Sequence, residues 1–198
     1  MAAITDDIWN MSTGKNMNLI DTGIEGLYVI EPKVFKDDRG YFFESYNTMA
    51  FKELGLLYTF VQDNQSLSSY GTVRGLHFQR GEHAQAKLVR VLSGRVKDVA
   101  VDLRQNSATF GKHFEVELSD KNNLMMILPR GFAHGFSVLS DSAVFFYKCD
   151  NYYNKDSEGA INYADPDLAI NWGINTADVI ISDKDNSAPL FKDFLHGR

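Results

Sequence analysis

The chain contains a single cysteine, Cys149, in 198 residues. One thiol excludes an intrachain disulfide and a cysteine-built zinc site, so a reducing cytoplasm is the expected compartment. No hydrophobic run approaches the length of a membrane-spanning helix, and no membrane partner is expected. Positive charge is also short. Twenty Lys and Arg against 26 Asp and Glu leave a net charge of −6, which argues against a nucleic-acid-coating surface. An anionic small molecule stays admissible where a few cations converge locally. Met1 to Asn16 are polar and lack the apolar core of a signal peptide. They read as a disordered or artificially appended leader, residues 1–16, ahead of a single domain over residues 17–198 that is long enough to bury a real core.

What the chain does have is short strands. Leu27 to Ile30 is apolar and stopped by Pro32; Asp37-Asp38-Arg39-Gly40 is a turn into a second strand over Tyr41 to Tyr46. Asn47 or Thr48 caps a short helix that Gly55 ends. Val99, Val101 and Leu103 share one face of a strand with Asp98 and Asp102 opposite, and Phe114, Val116 and Leu118 alternate with His113, Glu115 and Glu117. Further strands fall at Phe60 to Gln65, Leu124 to Leu128, Gly135 to Leu139 and Ala143 to Lys148. A terminal helix is expected around Lys192 to Leu195. Turn residues separate these pieces, and no repeat or linker divides them. The pattern is that of an all-β protein, an antiparallel sandwich or barrel.

One stretch concentrates the chemistry: Arg74-Gly75-Leu76-His77-Phe78-Gln79, followed by Lys87-Leu88-Val89-Arg90. Strict alternation puts Arg74 and His77 on opposite faces, with Gly75 between them as a candidate bulge. Downstream, the spacing of Pro129, Gly131 and His134 resembles the second motif of the cupin superfamily, a small jelly-roll barrel with its site inside. A metal-binding cupin also supplies a His-x-His pair. Here that slot reads His77-Phe78-Gln79, and a carboxamide is a poor transition-metal ligand, so no metal is expected.

With these motifs, Glu31 to Phe35, Asp38-Arg39-Gly40, Phe43 to Asn47, Val61 to Asn64, Asp98 to Arg104, Asn151-Tyr152-Tyr153, Ser182 to Asp185 and Ala188-Pro189-Leu190 also resemble the dTDP-4-dehydrorhamnose 3,5-epimerase family. The match runs roughly from Leu19 to Leu190. The resemblance implies a cupin-type jelly-roll β-barrel with a few short peripheral helices, working without metal or cofactor. It implies as substrate a dTDP-linked 4-keto-6-deoxy sugar, inverted at C3 and C5.

By the family pattern, His77 is the base with Asp185 as its partner, Lys87 the electrophile for the enolate oxygen, and Tyr147 the acid on the opposite face. Arg39, Arg74, Lys87 and Lys184 are implied to contact the nucleotide sugar, with Glu44, Gln62, Asn64, His134 and Glu158 as polar contacts and Tyr153 stacked on thymine. A homodimer whose sites are completed across the interface is implied as well. The chemistry is consistent on its own terms. Protons at C3 and C5 are α to the C4 ketone, so epimerisation needs a base, an acid on the other face and a donor at the ketone oxygen. Three other readings stay open: a 3- or 5-epimerase or ketoisomerase on a related nucleotide sugar, a non-catalytic sugar-binding cupin, and a metal-dependent cupin dioxygenase, which Gln79 disfavours.

Overall fold

The computed structural model describes residues 16–196. The first fifteen residues of the expected leader lie outside them. The carbonyl of Asn16, a residue assigned to the leader by expectation, accepts from Lys33 N at 2.7 Å, and Met17 is buried.

Two antiparallel sheets face each other as a jelly roll. The first runs β1 (Met17–Asp21), β2 (Tyr28–Pro32), β10 (Met125–Leu128), β7 (Lys87–Ser93), β12 (Ser142–Cys149) and β5 (Gln62–Ser69). The second runs β13 (Glu158–Ala160), β6 (Val73–Gln79), β11 (Phe132–Val138), β8 (Arg95–Asp102) and β9 (His113–Ser119). A separate two-stranded hairpin joins β3 (Phe35–Asp37) to β4 (Gly40–Phe42). That hairpin is shorter than the strand expected over Tyr41 to Tyr46, because Phe43 leaves the ladder for Arg90, whose guanidinium lies 5.0 Å from its ring centroid. The described residues also contain three short α-helices, α1 (Thr48–Glu53), α2 (Asp183–Asn186) and α3 (Phe191–His196), and three single-turn 3-10 helices. Asn47 caps α1 by accepting from Met49 N and Ala50 N, as Asn does before a helix.

Alternation sorts the side chains into three layers. Between the sheets lie Val89, Val91, Val96, Ala100, Leu118, Met126, Leu128, Phe136 and Phe145. Outside the five-stranded sheet, Val73, Leu76, Phe78, Val99 and Val101 pack under the C-terminal segment with Ile161, Leu168 and Trp172. Outside the six-stranded sheet, Ile30, Leu88, Met125 and Ile127 pack under Phe51 and Leu56. Most of these bury fully, each worth roughly 1.5–3 kcal/mol of transfer energy. Between the sheets the apolar side chains give way to a polar-lined cavity, walled by Asn64, Arg74, His77, Lys87 and His134.

Candidate active site

β6 delivers both key side chains to that wall because its alternation is interrupted. His134 pairs with His77 and Phe136 with Arg74, so β6 spends three residues where β11 spends two. The extra residue lies at Gly75, whose φ is +125. A Cβ there would meet Gly135 Cα at 2.5 Å and His134 O at 2.7 Å, so only glycine fits. The bulge turns Arg74 and His77 to the same side and resolves the conflict that strict alternation posed.

They open onto a cavity of about 270 Å³ lined by Asn64, Ser66, Arg74, His77, Lys87, His134, Phe136 and Tyr147. Both sheets contribute. His77, Arg74 and His134 come from the five-stranded sheet, Lys87, Asn64 and Tyr147 from the six-stranded one.

His77 Nε2 lies 2.7 Å from Asp185 Oδ1. The carboxylate arrives on α2, started by Ser182, whose Oγ accepts from Asp185 N. Its other oxygen accepts from Gly75 N at 3.4 Å. Burial alone would raise Asp185, but the hydrogen bond and charge of His77, with that of Gly75 N, hold its carboxyl below the usual range. The second imidazole, His134, is bonded through Nε2 to Asp98. There burial dominates and raises the Asp98 carboxyl, against the opposing pull of His134.

Lys87 is half-buried in the cavity wall, and burial pushes its ammonium down, opposed by Cys149, Asp98 and Glu158. Its Nζ sits 5.8 Å from the Tyr147 ring centroid. Burial raises the Tyr147 phenol, with Cys149 adding to the rise and Arg74 opposing it; at neutral pH it remains a proton donor. Ser68 holds Arg74, accepting from its Nε at 3.0 Å.

At the rim, Glu158 Oε2 accepts from Lys184 Nζ at 2.6 Å and from Tyr153 OH at 3.1 Å. Gln62 donates to Asn64 Oδ1 and accepts from Tyr153 N. Two expected site residues stay away. Arg39 stands on the β3–β4 hairpin with its side chain 73% exposed and paired to Asp37. Glu44 accepts from Asn47 Nδ2, while its Oε1 is buried without a partner. Sequence reasoning missed Asp98 as the partner of His134. It stood as the polar face of β8, although Val96 and Ala100 on that same face were the sign of a second buried side. Among the described residues no three His, Cys, Asp or Glu side chains converge to hold a metal ion.

A jelly roll with an imidazole–carboxylate pair, a buried ammonium and a phenol in one cavity defines a cupin-like acid–base enzyme. Residues 21–193 match the family profile described as dTDP-4-dehydrorhamnose 3,5-epimerase. The chain is 54% identical over 170 residues to the Escherichia coli K12 enzyme of that name, covering 85% of this chain and 91% of the relative. Among solved structures, dTDP-4-dehydrorhamnose 3,5-epimerase from Elizabethkingia anophelis superposes with a TM-score of 0.87 at 61% identity, covering 90% of this chain and 98% of that one. A Legionella pneumophila dTDP-6-deoxy-D-glucose-3,5-epimerase solved with dTDP-4-keto-L-rhamnose gives a TM-score of 0.85 at 49% identity, covering 89% and 93%. The chain belongs to the dTDP-4-dehydrorhamnose 3,5-epimerase family.

Proposed function

We propose that this protein epimerises dTDP-4-dehydro-6-deoxy-D-glucose at C3 and C5 to dTDP-4-dehydro-L-rhamnose, toward dTDP-L-rhamnose, by enolate chemistry carried out by its own side chains. The observation that carries the reading is that base and acid stand on facing sheets. His77 approaches from β6 and Tyr147 from β12, which suits inversion: a proton leaves one face of the carbon and another arrives on the opposite face.

His77 takes the proton α to the ketone. Asp185 fixes its tautomer and supports the imidazolium once formed, as a paired carboxylate does. Lys87 donates to the oxygen on which charge develops; a low-dielectric cavity strengthens that interaction. Tyr147 returns a proton from the other side. Arg74 faces the substrate's charge from the cavity wall, with Asn64 and His134 as polar contacts. The Tyr153, Glu158 and Lys184 cluster with Gln62 receives the nucleotide at the rim, Tyr153 stacking on thymine.

Arg39 and Glu44 belong to this site through a homodimer, in which a second copy brings its hairpin over the cavity. Support comes from the hairpin's isolation and from Leu67, Tyr41, Phe42 and Leu92, which expose 69%, 56%, 47% and 38% of their surface. A nucleotide-linked substrate also fits a cytoplasmic enzyme.

The test is Tyr147→Phe in deuterated water. The variant keeps the ring and deletes the donor, so His77 should still form the enolate and hand a deuteron back to the face it came from. Deuterium should enter with retained configuration while net epimerisation falls by about 10²-fold or more. Epimerisation at the wild-type rate would remove Tyr147 from the mechanism.

A further inference from the structure

Gln79 occupies the place of the second imidazole of a metal-binding cupin pair, yet its carboxamide is already engaged. Nε2 donates to Asn154 O at 3.0 Å, and Oε1 accepts from Asn154 N at 2.9 Å. Both backbone polar groups of one residue are thus taken by one side chain that is 8% exposed. An amide presents donor and acceptor side by side; an imidazole, with its two nitrogens on different edges, cannot make that pair.

The segment so held is the one that carries Tyr153. Gln62 Oε1 accepts from Tyr153 N at 3.1 Å. Asn154 Oδ1 accepts from Asp156 N and Ser157 N, and Ser157 O accepts from Arg80 N at 2.8 Å. Tyr153 itself is 52% exposed, and among the described residues its hydroxyl is tied to Glu158 Oε2 alone. Its position therefore depends on the clamped backbone beneath it.

We infer that Gln79 is a positioning residue of the nucleotide subsite: its paired amide fixes the Tyr153–Asn154 segment so that the aromatic ring stands ready for the thymine base. This rests on the placement of thymine beside Tyr153 proposed above. The energetic reason is preorganisation. An exposed ring on a free loop pays its ordering cost at the moment of binding, whereas a clamped one has paid it on folding. The position that a metal cupin uses as a ligand serves here to hold a recognition loop.

A double-mutant cycle with thymidine diphosphate as the probe, read by calorimetry, tests this. Gln79→Met keeps the volume and deletes both hydrogen bonds; it should weaken binding about tenfold while turnover at saturating substrate stays within about threefold. In a Tyr153→Ala background the same change should add less than about twofold. Gln79→Glu keeps the acceptor for Asn154 N and loses the donor, so its affinity should fall between wild type and Gln79→Met, which covers the case of a misfolded methionine variant. Wild-type affinity in both Gln79 variants would overturn the inference. So would an equal loss with and without Tyr153, since Gln79 would then act elsewhere. Tyr153→Ala binding as tightly as wild type would instead sink the thymine placement, and the inference with it.

Discussion

The protein carries two imidazole–carboxylate pairs on neighbouring strands, with His77 directly opposite His134 in the ladder. The His77 side chain is 34% exposed and its partner Asp185 7%, against 8% and 0% for His134 and Asp98. The carboxylates respond in opposite directions. Hydrogen bonding and charge win at Asp185 and lower it; desolvation wins at Asp98 and raises it. The same two residue types thus give one pair that is open to the cavity and one that is almost wholly buried, with Asp98 Oδ2 left unpartnered. On the proposed mechanism burial, more than composition, assigns the roles: the open pair is the one proposed to move protons, and the closed one holds His134 in the cavity wall.

The largest effect that sharpens this contrast is loss of the open imidazole. His77→Asn should lower epimerisation by at least about 10²–10⁴. Because the partner subunit is proposed to supply Arg39, mixing His77→Asn with an inactive Arg39→Ala protein should restore activity. Half of the dimers then have mixed subunits and one intact site each, about a quarter of wild type at best. No recovery on mixing would remove the shared site.

Stability against pH gives a smaller effect with opposite signs. Asp185 has a depressed folded pKa, so its contribution is present above the unfolded carboxylate value, about 4, and is lost as pH falls through the folded one. Asp98 has a raised folded pKa, so a penalty for its ionisation appears as pH rises through that value. In urea unfolding, Asp185→Asn should therefore look worse relative to wild type at pH 7 than at pH 4, and Asp98→Asn better. Slopes of the same sign would contradict the assignment.

Much of this was legible in the residues. Period-two alternation at Phe114, Val116 and Leu118 located β9, and Asn47 located α1. The strands at Met17 and Glu158 were not legible: β1 is a short edge strand paired only with β2, and β13 is three residues long and depends on β6, far back along the chain. The expected site residues came from family motifs more than from local pattern. Asp185 reads as a turn residue, and only folding brings it to His77 across 108 positions. The facing of Arg74 was undecidable from alternation, since a bulge at a glycine is a tertiary event: Gly135 on the adjacent strand leaves no room for anything else. Gln79 was legible as a missing ligand; its clamp on Asn154 was not, because backbone groups carry no sequence signature.

The central claim is that the His77–Asp185 pair moves the protons and the His134–Asp98 pair does not. Deuterium uptake from solvent into saturating dTDP-keto sugar, measured side by side for Asp185→Asn and Asp98→Asn, tests it directly. The account predicts a loss of about 10²–10⁴ for Asp185→Asn, through loss of the paired charge and the correct tautomer, and less than about tenfold for Asp98→Asn. Equal losses in the two variants, or a larger one at Asp98, would contradict it.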